Sequence, residues 1–185
     1  TKEPVFDSRE VQPGCIFLSL KGDFHDGHDY ALEAVDRGAV LVLCSRQVSA
    51  PCIVVPNVLE ALGKLAHYVR SHLNNLKVIG ITGSQGKTTT KDLLAWILGM
   101  QAETVATYAS FNNELGAPIT LLRCKETTQY CILEMGARHT GDIKSLCQIA
   151  EPDIGVVLKV GRAHLGEFGS LQAVAETKAE LVNNL

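Results

Sequence analysis

The stretch KVIGITGSQGKTTTK, residues 77–91, constrains the fold more than any other part of the chain. An apolar run typical of a buried strand breaks into a glycine-rich turn, and a helical pattern begins near Lys87. Gly83 and Gly86 allow a tight turn in which successive backbone N–H groups point at one anion, and the positive end of the helix dipole adds to the attraction. The sequence therefore predicts a phosphate-binding loop between a strand and a helix.

The side chains of this loop suit a nucleotide and its metal ion. Lys87 would neutralise charge on the terminal phosphates, and Thr88 offers a hydroxyl to a magnesium ion that bridges them. The spacing fits the form G-x-x-G-K-T and not the longer Walker A form, because Ile81 stands five residues before Gly86. The alternative is that the glycines serve only close packing and that Lys87 is a solvated lysine. The predicted nucleotide ligands are Gly83, Ser84, Gln85, Gly86, Lys87, Thr88 and Thr89.

The order of apolar runs and helical patterns predicts an α/β fold in two parts. Residues 1–75 form a small N-terminal α/β substrate domain, with strands and helices at 15–20, 30–37, 40–44, 52–55 and 58–73. Residues 76–185 form an incomplete P-loop ATPase domain, with elements at 77–82, 87–99, 103–107, 116–123, 130–134, 141–150, 154–160 and 171–185. Apolar strands that alternate with helices indicate a mainly parallel sheet covered on both faces. The last helix shows no stop signal, so we expect a fragment.

Composition excludes several classes of protein. A net charge of −3 without a basic run argues against a nucleic-acid partner. The apolar runs are too short for a membrane span or a signal peptide. The six cysteines form no C-x-x-C pair, and most lie inside apolar runs, which is typical of reduced core residues. These features predict a cytoplasmic protein.

Two residues follow strands at the edge where the phosphate loop is expected. Glu134 ends the run YCILE, and a carboxylate at that edge is a candidate magnesium ligand. Its alternatives are pairing with a lysine or capping of the next helix. His164 follows the next strand, IGVVLKV, in the turn GRAHLGEFGS. A surface or packing role is the alternative to a metal or phosphate ligand there.

Lys178 occupies an unusual place in the pattern of the last helix. Glu176, Thr177 and Glu180 lie off its face of the helix. Helical spacing puts it on an apolar face with Leu171, Val174, Leu181, Val182 and Leu185. A lysine on an apolar face either extends its ammonium to water or has its pKa lowered by burial. An unprotonated amine can combine with carbon dioxide to give a carbamate, which offers anionic oxygen to magnesium.

Polar clusters at two further places could hold a ligand. Asn112, Asn113 and Glu114 precede a helix, where a substrate role and helix capping are both open. Ser8 and Arg9 follow Asp7 near the turn QPG, and DGHD at 26–29 precedes another helix. Either segment could bind a ligand. The alternative for the first segment is a surface ion pair between Asp7 and Arg9, and the alternative for the second is that Asp29 is the N-cap of the helix.

Seven phrases together resemble the Mur ligase family. In chain order they are DSREVQPGCIFLSLKG, DGHD, GITGSQGKTTTKD, SFNNELGAPIT, ILEMGARHTGDI, GVVLKVGRAHLGEFGS and AETKAEL. They cover nearly the whole chain. The resemblance implies an N-terminal domain that holds a UDP sugar, a central ATPase, and a C-terminal domain that this chain lacks. Lys159 departs from the pattern, because many relatives carry asparagine there.

The resemblance also implies an activity, that of the family members that add D-alanyl-D-alanine to a UDP-N-acetylmuramoyl-tripeptide in peptidoglycan synthesis. ATP and Mg2+ are the implied cofactors, the enzyme is expected to be a monomer, and the fragment alone is expected to be inactive. ATP would phosphorylate the terminal carboxylate of the tripeptide, and the dipeptide amine would displace phosphate. Another Mur-type or folylpolyglutamate-type ligase, or a binding module without turnover, are the alternatives.

The resemblance assigns roles residue by residue. Lys87, Glu134, His164 and Lys178 match catalytic positions. Thr88 and Glu134 match the ligands of one magnesium ion, and His164 and carbamylated Lys178 match those of a second. Ser8 and Arg9 match the region that contacts the UDP sugar, and Asn112, Asn113 and Glu114 match the strip near the substrate and the γ-phosphate.

Overall fold

A computed structural model describes residues 3–22, 24–161 and 165–185. The described chain divides into two compact units, residues 1–62 and 63–185. The sequence placed a domain boundary near residues 74–76, and that boundary stays a prediction.

The first unit is a small parallel sheet with one short helix. Its elements are β1 (Ile16–Leu18), α1 (Ala31–Asp36), β2 (Leu41–Cys44) and β3 (Cys52–Val54), with 3-10 turns at Ser8–Glu10 and Gly27–Tyr30. The strands lie in the order β1-β2-β3 and all pairs are parallel. Phe17 and Val42 are buried at its centre, where Ala31 and Ala34 of α1 pack against them.

Helix α2 (Val58–His72) spans the division between the units. The pattern of Asn57 followed three residues later by Glu60 predicts an N-cap at Asn57, and this is confirmed, because the N–H of Glu60 donates to Asn57 Oδ1 at 3.1 Å. From Gly63 onward the helix packs within the second unit. Arg70 donates from Nε to the carbonyl of Ala150 at 3.1 Å and from Nη2 to the carboxylate of Asp153 at 3.1 Å.

The second unit is a parallel sheet covered by helices. Its elements are β4 (Lys77–Thr82), α3 (Lys87–Gly99), β5 (Thr104–Ala106), α4 (Gly116–Leu122), β6 (Tyr130–Glu134), α5 (Asp142–Ala150), β7 (Ile154–Val157), α6 (Leu165–Phe168) and α7 (Leu171–Ala179). The described strands lie in the order β5-β6-β4-β7 and pair in parallel, which confirms the predicted α/β class. Ile81 lies beside Glu134, and Thr82 lies beside Val157. The carboxyl ends of three strands therefore meet at one edge.

Apolar side chains that point alternately to the two faces of this sheet explain why both faces are buried. Ile79, Ile81 and Ile132 face one side, where Leu94 and Leu98 of α3 pack against them. Their neighbours Val78 and Leu133 face the other side, together with residues of α4 and α5 such as Leu121 and Ile143. Successive strand side chains point to opposite faces, so a sheet with two apolar faces needs helices on both.

The prediction of a helix through residue 185 is wrong. Helix α7 ends at Ala179, and a 3-10 turn follows at Val182–Asn184. The carboxylate of Glu180 accepts hydrogen bonds from the backbone N–H groups of Gly141 and Lys144, at 2.6 and 2.9 Å. The side chain of Asn184 then donates to the carbonyl of Glu180 at 2.7 Å, which replaces a helical hydrogen bond.

Among the described residues, none of the helices has both the length and the apolar character needed to cross a bilayer.

Candidate functional site

The loop between β4 and α3 has the backbone that a phosphate cradle requires. Gly83 has φ +152° and Gly86 has φ +84°, both in the region that favours glycine. A Cβ on Gly83 would lie 2.8 Å from the Cβ of Leu158, so the loop passes close to the segment after β7. The N–H of Ser84 donates to the carbonyl of Lys159 at 2.9 Å. Lys159 thus supports the loop through its backbone, whatever its side chain does.

Helix α3 begins at Lys87, and its N-cap residue, Gly86, has no side chain to bond the first N–H groups. These donors are available to an anion, and the helix dipole favours one there. Lys87 folds back over the loop, because its Nζ donates to the carbonyl of Gly83 at 3.0 Å. Gln85, Gly86 and Thr89 are exposed. The loop therefore offers backbone donors and an ammonium group on a surface open to solvent.

Glu134 lies beside this loop in a buried setting. Glu134 is only 1% exposed to solvent, and its carboxylate accepts hydrogen bonds from two neutral side chains. Thr88 Oγ1 donates to Oε2 at 2.8 Å, and Asn112 Nδ2 donates to Oε1 at 2.9 Å. Within the described part of the chain the structure gives Glu134 no ion pair, so the alternative of a lysine partner is not realised there. A buried carboxylate without a cation is unfavourable, and a bound cation would offset that cost.

Thr88 and Glu134 suit magnesium as two protein ligands among several. In residues 3–22, 24–161 and 165–185, no group of three or more His, Cys, Asp or Glu side chains could hold a metal ion. Magnesium commonly binds through one or two protein oxygens, with phosphate oxygens and water completing the octahedron. Two ligands, Thr88 and Glu134, therefore suit a metal ion that is also bound by the phosphates of a nucleotide better than a metal ion that is bound by the protein alone.

The predicted cluster at residues 112–114 divides into separate roles. Asn112 joins Glu134, and its carbonyl also accepts the N–H of Gly136 at 2.8 Å. Asn113 caps α4, since its Oδ1 accepts from the N–H of Gly116 at 3.2 Å. Glu114 is exposed. Capping thus explains Asn113, whereas the substrate role of the cluster stays a prediction.

The buried face of α7 differs from the expected one. Lys178 is 4% exposed and shares this face with Val174, Thr177 and Leu181, all fully buried, whereas Leu171 is half exposed. The expectation that Thr177 lies off the face is wrong. Its hydroxyl donates to the carbonyl of Ala173 at 2.8 Å, which satisfies the group inside the helix and allows burial.

Burial, followed by the positive charge of Lys87, lowers the pKa of Lys178 below its usual value. The Nζ of Lys178 also lies 6.0 Å from the centre of the Phe168 ring. The near-complete burial of this residue disfavours the alternative of an ammonium extended into water. Two lysines that repel each other near one edge of the sheet would both be stabilised by an anion. His164 lies outside the described residues.

The first unit contains a cleft of about 610 Å³ near Ser8 and Arg9. Ser8 is buried, and Arg9 is exposed and paired with Asp7 through Nε and Nη2 at 2.9 and 2.6 Å. This hydrogen bonding lowers the pKa of Asp7 to about 2. The predicted ion pair is therefore present, at the mouth of a cleft that could hold a ligand. The cleft is lined by Phe6, Asp7, Ser8, Arg9, Phe17, Leu20, Gly22, His25, Gly27, Tyr30 and Glu33.

The segment DGHD is capped by a different residue from the one expected. Asp26 precedes the turn, and its Oδ1 accepts the N–H of His28 at 3.0 Å. Asp29 instead pairs with Arg46 at 3.0 Å. The prediction of Asp29 as the N-cap is therefore wrong. The N–H that needs an acceptor is that of His28, and Asp26, two residues before it, provides the acceptor.

Two residues that support the site from behind, Lys91 and Thr107, were not predicted from the sequence. Thr107 Oγ1 accepts the N–H of Glu134 at 3.1 Å, and Lys91 donates to the carbonyl of Thr107 at 2.8 Å. The one signal in the sequence is the position of Lys91, a single helical turn after Lys87 in KTTTK.

Together these features define a phosphate-binding-loop domain that follows a small parallel α/β unit in the chain. The profile of the Mur ligase middle domain matches residues 81–185, and the profile described as Mur ligase family, catalytic domain, matches residues 5–70. The chain belongs to the Mur ligase family, as the sequence predicted.

Relatives with assigned functions show which members of the family this chain is similar to. A UDP-N-acetylmuramoyl-tripeptide–D-alanyl-D-alanine ligase from Mycobacterium tuberculosis (strain ATCC 25618 / H37Rv) is 52% identical over 95% of this chain and 39% of its own length. The ligase of that name from Bacillus subtilis (strain 168) is 39% identical over 97% of this chain and 40% of its own length. This chain thus spans about two fifths of the relatives that it matches.

Solved structures agree with these relatives. A crystal structure of MurF from Acinetobacter baumannii superposes with a TM-score of 0.91 at 38% identity, covering 98% of this chain and 41% of that one. MurF ligase from Thermotoga maritima, solved in complex with ADP, gives a TM-score of 0.89 at 37% identity, covering 100% of this chain and 43% of that one.

Proposed function

We propose that this chain carries the nucleotide site of an ATP-dependent ligase that adds D-alanyl-D-alanine to a UDP-N-acetylmuramoyl-tripeptide. The observation that carries the proposal is the arrangement of Lys87, Thr88 and Glu134 around the glycine loop. The names of the relatives supply the reaction, and the ADP complex of one relative supports nucleotide binding.

The loop and its neighbours would bind and activate ATP. Backbone N–H groups at the start of α3 and the ammonium of Lys87 would contact the phosphates and stabilise charge that develops on the transferring phosphoryl group. The hydroxyl of Thr88 and the carboxylate of Glu134 would hold Mg2+, which neutralises phosphate charge when bound. In the overall reaction the γ-phosphoryl group passes to the terminal carboxylate of the tripeptide. The amine of D-alanyl-D-alanine then attacks the acyl phosphate, and phosphate leaves.

His164 and carbamylated Lys178 would hold a second metal ion. Carbamate formation joins the neutral amine to carbon dioxide and releases a proton, so it requires an unprotonated lysine. The lowered pKa of Lys178 favours that form compared with an exposed lysine at the same pH.

We expect a carbamate on Lys178 in bicarbonate buffer. Native mass spectrometry should show a gain of one carbon dioxide that is absent from Lys178→Met. The modified fraction should rise from neutral to mildly alkaline pH, because less of the amine is protonated there. An unmodified Lys178 across this range would contradict the proposed role.

The remaining assignments concern the substrates. The cleft beside Ser8 and Arg9 would accept the UDP sugar, and its exposed guanidinium suits a phosphate-bearing ligand. Asn112, Asn113 and Glu114 would lie near the tripeptide and the γ-phosphate. A cytoplasmic location and a monomeric state belong to the same proposal.

Phosphate release tests the reaction directly. The protein encoded by the full gene should release phosphate from ATP only when both the UDP-muramoyl-tripeptide and D-alanyl-D-alanine are present. The 185-residue chain should bind ADP without this dependent turnover. Turnover of a folate and glutamate by the full protein would favour the folylpolyglutamate alternative. Full-rate release by the chain alone would contradict the proposal that it is an inactive fragment.

A further inference from the structure

Lys91 is a buried lysine on α3 that none of the proposed ligand sites uses. Its residue is 3% exposed. Its Nζ donates to the carbonyls of Thr107 and Ala109, at 2.8 and 2.9 Å, and contacts the carboxylate of Asp92 at 2.9 Å. An ammonium has three N–H donors, and these three acceptors use them all. Lys91 is thus committed to the protein and has no donor left for a ligand.

The two carbonyls belong to the segment that follows β5. Ala109 has φ +46°, a left-handed conformation that is uncommon for a residue with a side chain. Such a conformation persists only where the surroundings hold it. Lys91 bonds the backbone at Ala109 itself and two residues earlier, so it fixes this bend from the side of α3.

The same segment reaches Glu134 at two places. The hydroxyl of Thr107 accepts the N–H of Glu134 at 3.1 Å. Asn112 donates to Glu134 Oε1 at 2.9 Å, and its carbonyl accepts the N–H of Gly136 at 2.8 Å. A bend that moved would therefore change both the backbone at the end of β6 and the carboxylate of Glu134.

Helix α3 thus acts on Glu134 by two routes. Thr88 donates directly to Oε2, whereas Lys91, one helical turn later, holds the segment that delivers Asn112 to Oε1. With a donor on each oxygen, the plane of the carboxylate is fixed relative to the phosphate loop. Groups behind a metal ligand that fix its orientation affect metal affinity by about 10- to 100-fold when removed.

We infer that Lys91 is a positioning residue for the metal and phosphate centre, acting through Asn112 on the carboxylate of Glu134. The inference rests on the proposed function, in which Glu134 binds magnesium beside the nucleotide. Without Lys91 the bend at Ala109 relaxes, Asn112 releases Oε1, and the carboxylate can rotate about its remaining bond to Thr88.

Lys91→Met tests this role with two separate readouts. Methionine keeps an unbranched side chain that can stay buried, but it removes all three hydrogen bonds. The first readout, amide hydrogen exchange followed by NMR without ligand, should show faster exchange at Glu134 and Gly136 by about tenfold or more. The amide of Ile79 in β4 should be unchanged. The second readout is the gain in ADP affinity on adding Mg2+, which should fall by about tenfold while ADP affinity without metal stays within about threefold.

Two further variants give the test its controls. Lys64→Met, the same substitution at an exposed position of α2, should leave both readouts at wild-type values. In the double variant Lys91→Met with Asn112→Ala, the gain in ADP affinity on adding Mg2+ should fall no further than in the more affected of the two single variants. Both changes remove the same hydrogen bond, from Asn112 Nδ2 to Glu134 Oε1. If Lys91→Met does not fold, Lys91→Gln retains amide donors for the carbonyls, and a loss of about threefold or more is expected.

The outcomes separate the inference from the proposed function. Unchanged exchange at Glu134 and Gly136 in a folded Lys91 variant overturns the positioning role. Faster exchange with an unchanged magnesium effect, or additive losses in the double variant, overturns it too, since Lys91 would then be purely structural. A wild-type chain whose ADP affinity does not respond to Mg2+ overturns the proposed function first, and with it the inference.

Discussion

Lys87→Ala is expected to weaken ADP binding by about 100-fold or more, which corresponds to roughly 2.7 kcal/mol. The change removes the side-chain ammonium that folds over the glycine loop, at 3.0 Å from the carbonyl of Gly83. Hydrogen bonds to a charged group contribute about 1.5–3 kcal/mol each, and a terminal phosphate offers more than one acceptor. Isothermal titration of the chain with ADP measures the loss.

Stability should change far less than binding in this variant. Alanine is the best helix former, and Lys87 is the first residue of α3. The change also removes the repulsion between Lys87 and Lys178, so the pKa of Lys178 should move back towards its usual value. Lys64→Ala on α2 is the matched control and should bind ADP as the wild type does. Wild-type ADP affinity in a folded Lys87→Ala would show that the glycine loop is a packing feature only.

Glu134→Gln should remove the response to magnesium while leaving the nucleotide bound. The substitution keeps the size of the side chain but removes its negative charge and replaces one carboxylate oxygen by an NH2 group, which cannot bind a cation. We expect the gain in ADP affinity on adding Mg2+ to fall by about tenfold or more. ADP affinity without metal should be equal or slightly greater, since a negative charge near the phosphates is gone.

Titrations with and without Mg2+ on the same protein separate the two effects. The amide places a donor against either Thr88 or Asn112, so one buried donor loses its acceptor, at about 1–3 kcal/mol of unfolding free energy. Chemical denaturation measures that cost. Glu126→Gln, an exposed carboxylate in the turn before β6, should change neither quantity. An undiminished magnesium effect in Glu134→Gln would remove Glu134 from the metal site.

Much of the second unit could be predicted because its signals are local. The bounds of β4, α3 and β6 agree with the sequence prediction, since an apolar run, a glycine turn and a helical pattern are each read within a few residues. The edge position of Glu134 followed from the rule that parallel strands end together.

The errors concern side-chain hydrogen bonds, some to distant parts of the chain and one within a single helix. Glu180 looked like an ordinary helix residue, yet its carboxylate binds the start of α5 and the helix stops one residue before it. Thr177 is buried because its hydroxyl bonds within its own helix. Lys91 was not predicted as a functional residue, because its carbonyl acceptors lie 16 and 18 residues away. Hydrophobic periodicity encodes none of these hydrogen bonds, and those of Glu180 and Lys91 also depend on tertiary packing.

The most direct test of the central claim, that Thr88 and Glu134 hold a metal beside a nucleotide on the glycine loop, is a crystal structure with ADP and Mn2+. Manganese can replace magnesium at oxygen sites. Its anomalous scattering distinguishes it from a water molecule, which magnesium resembles in electron density. The account predicts ADP phosphates against the N–H groups that begin α3. It places the metal about 2.0–2.4 Å from Thr88 Oγ1, with Glu134 bound directly or through one water. ADP bound with no anomalous peak between these two residues, or with the peak elsewhere, would contradict it.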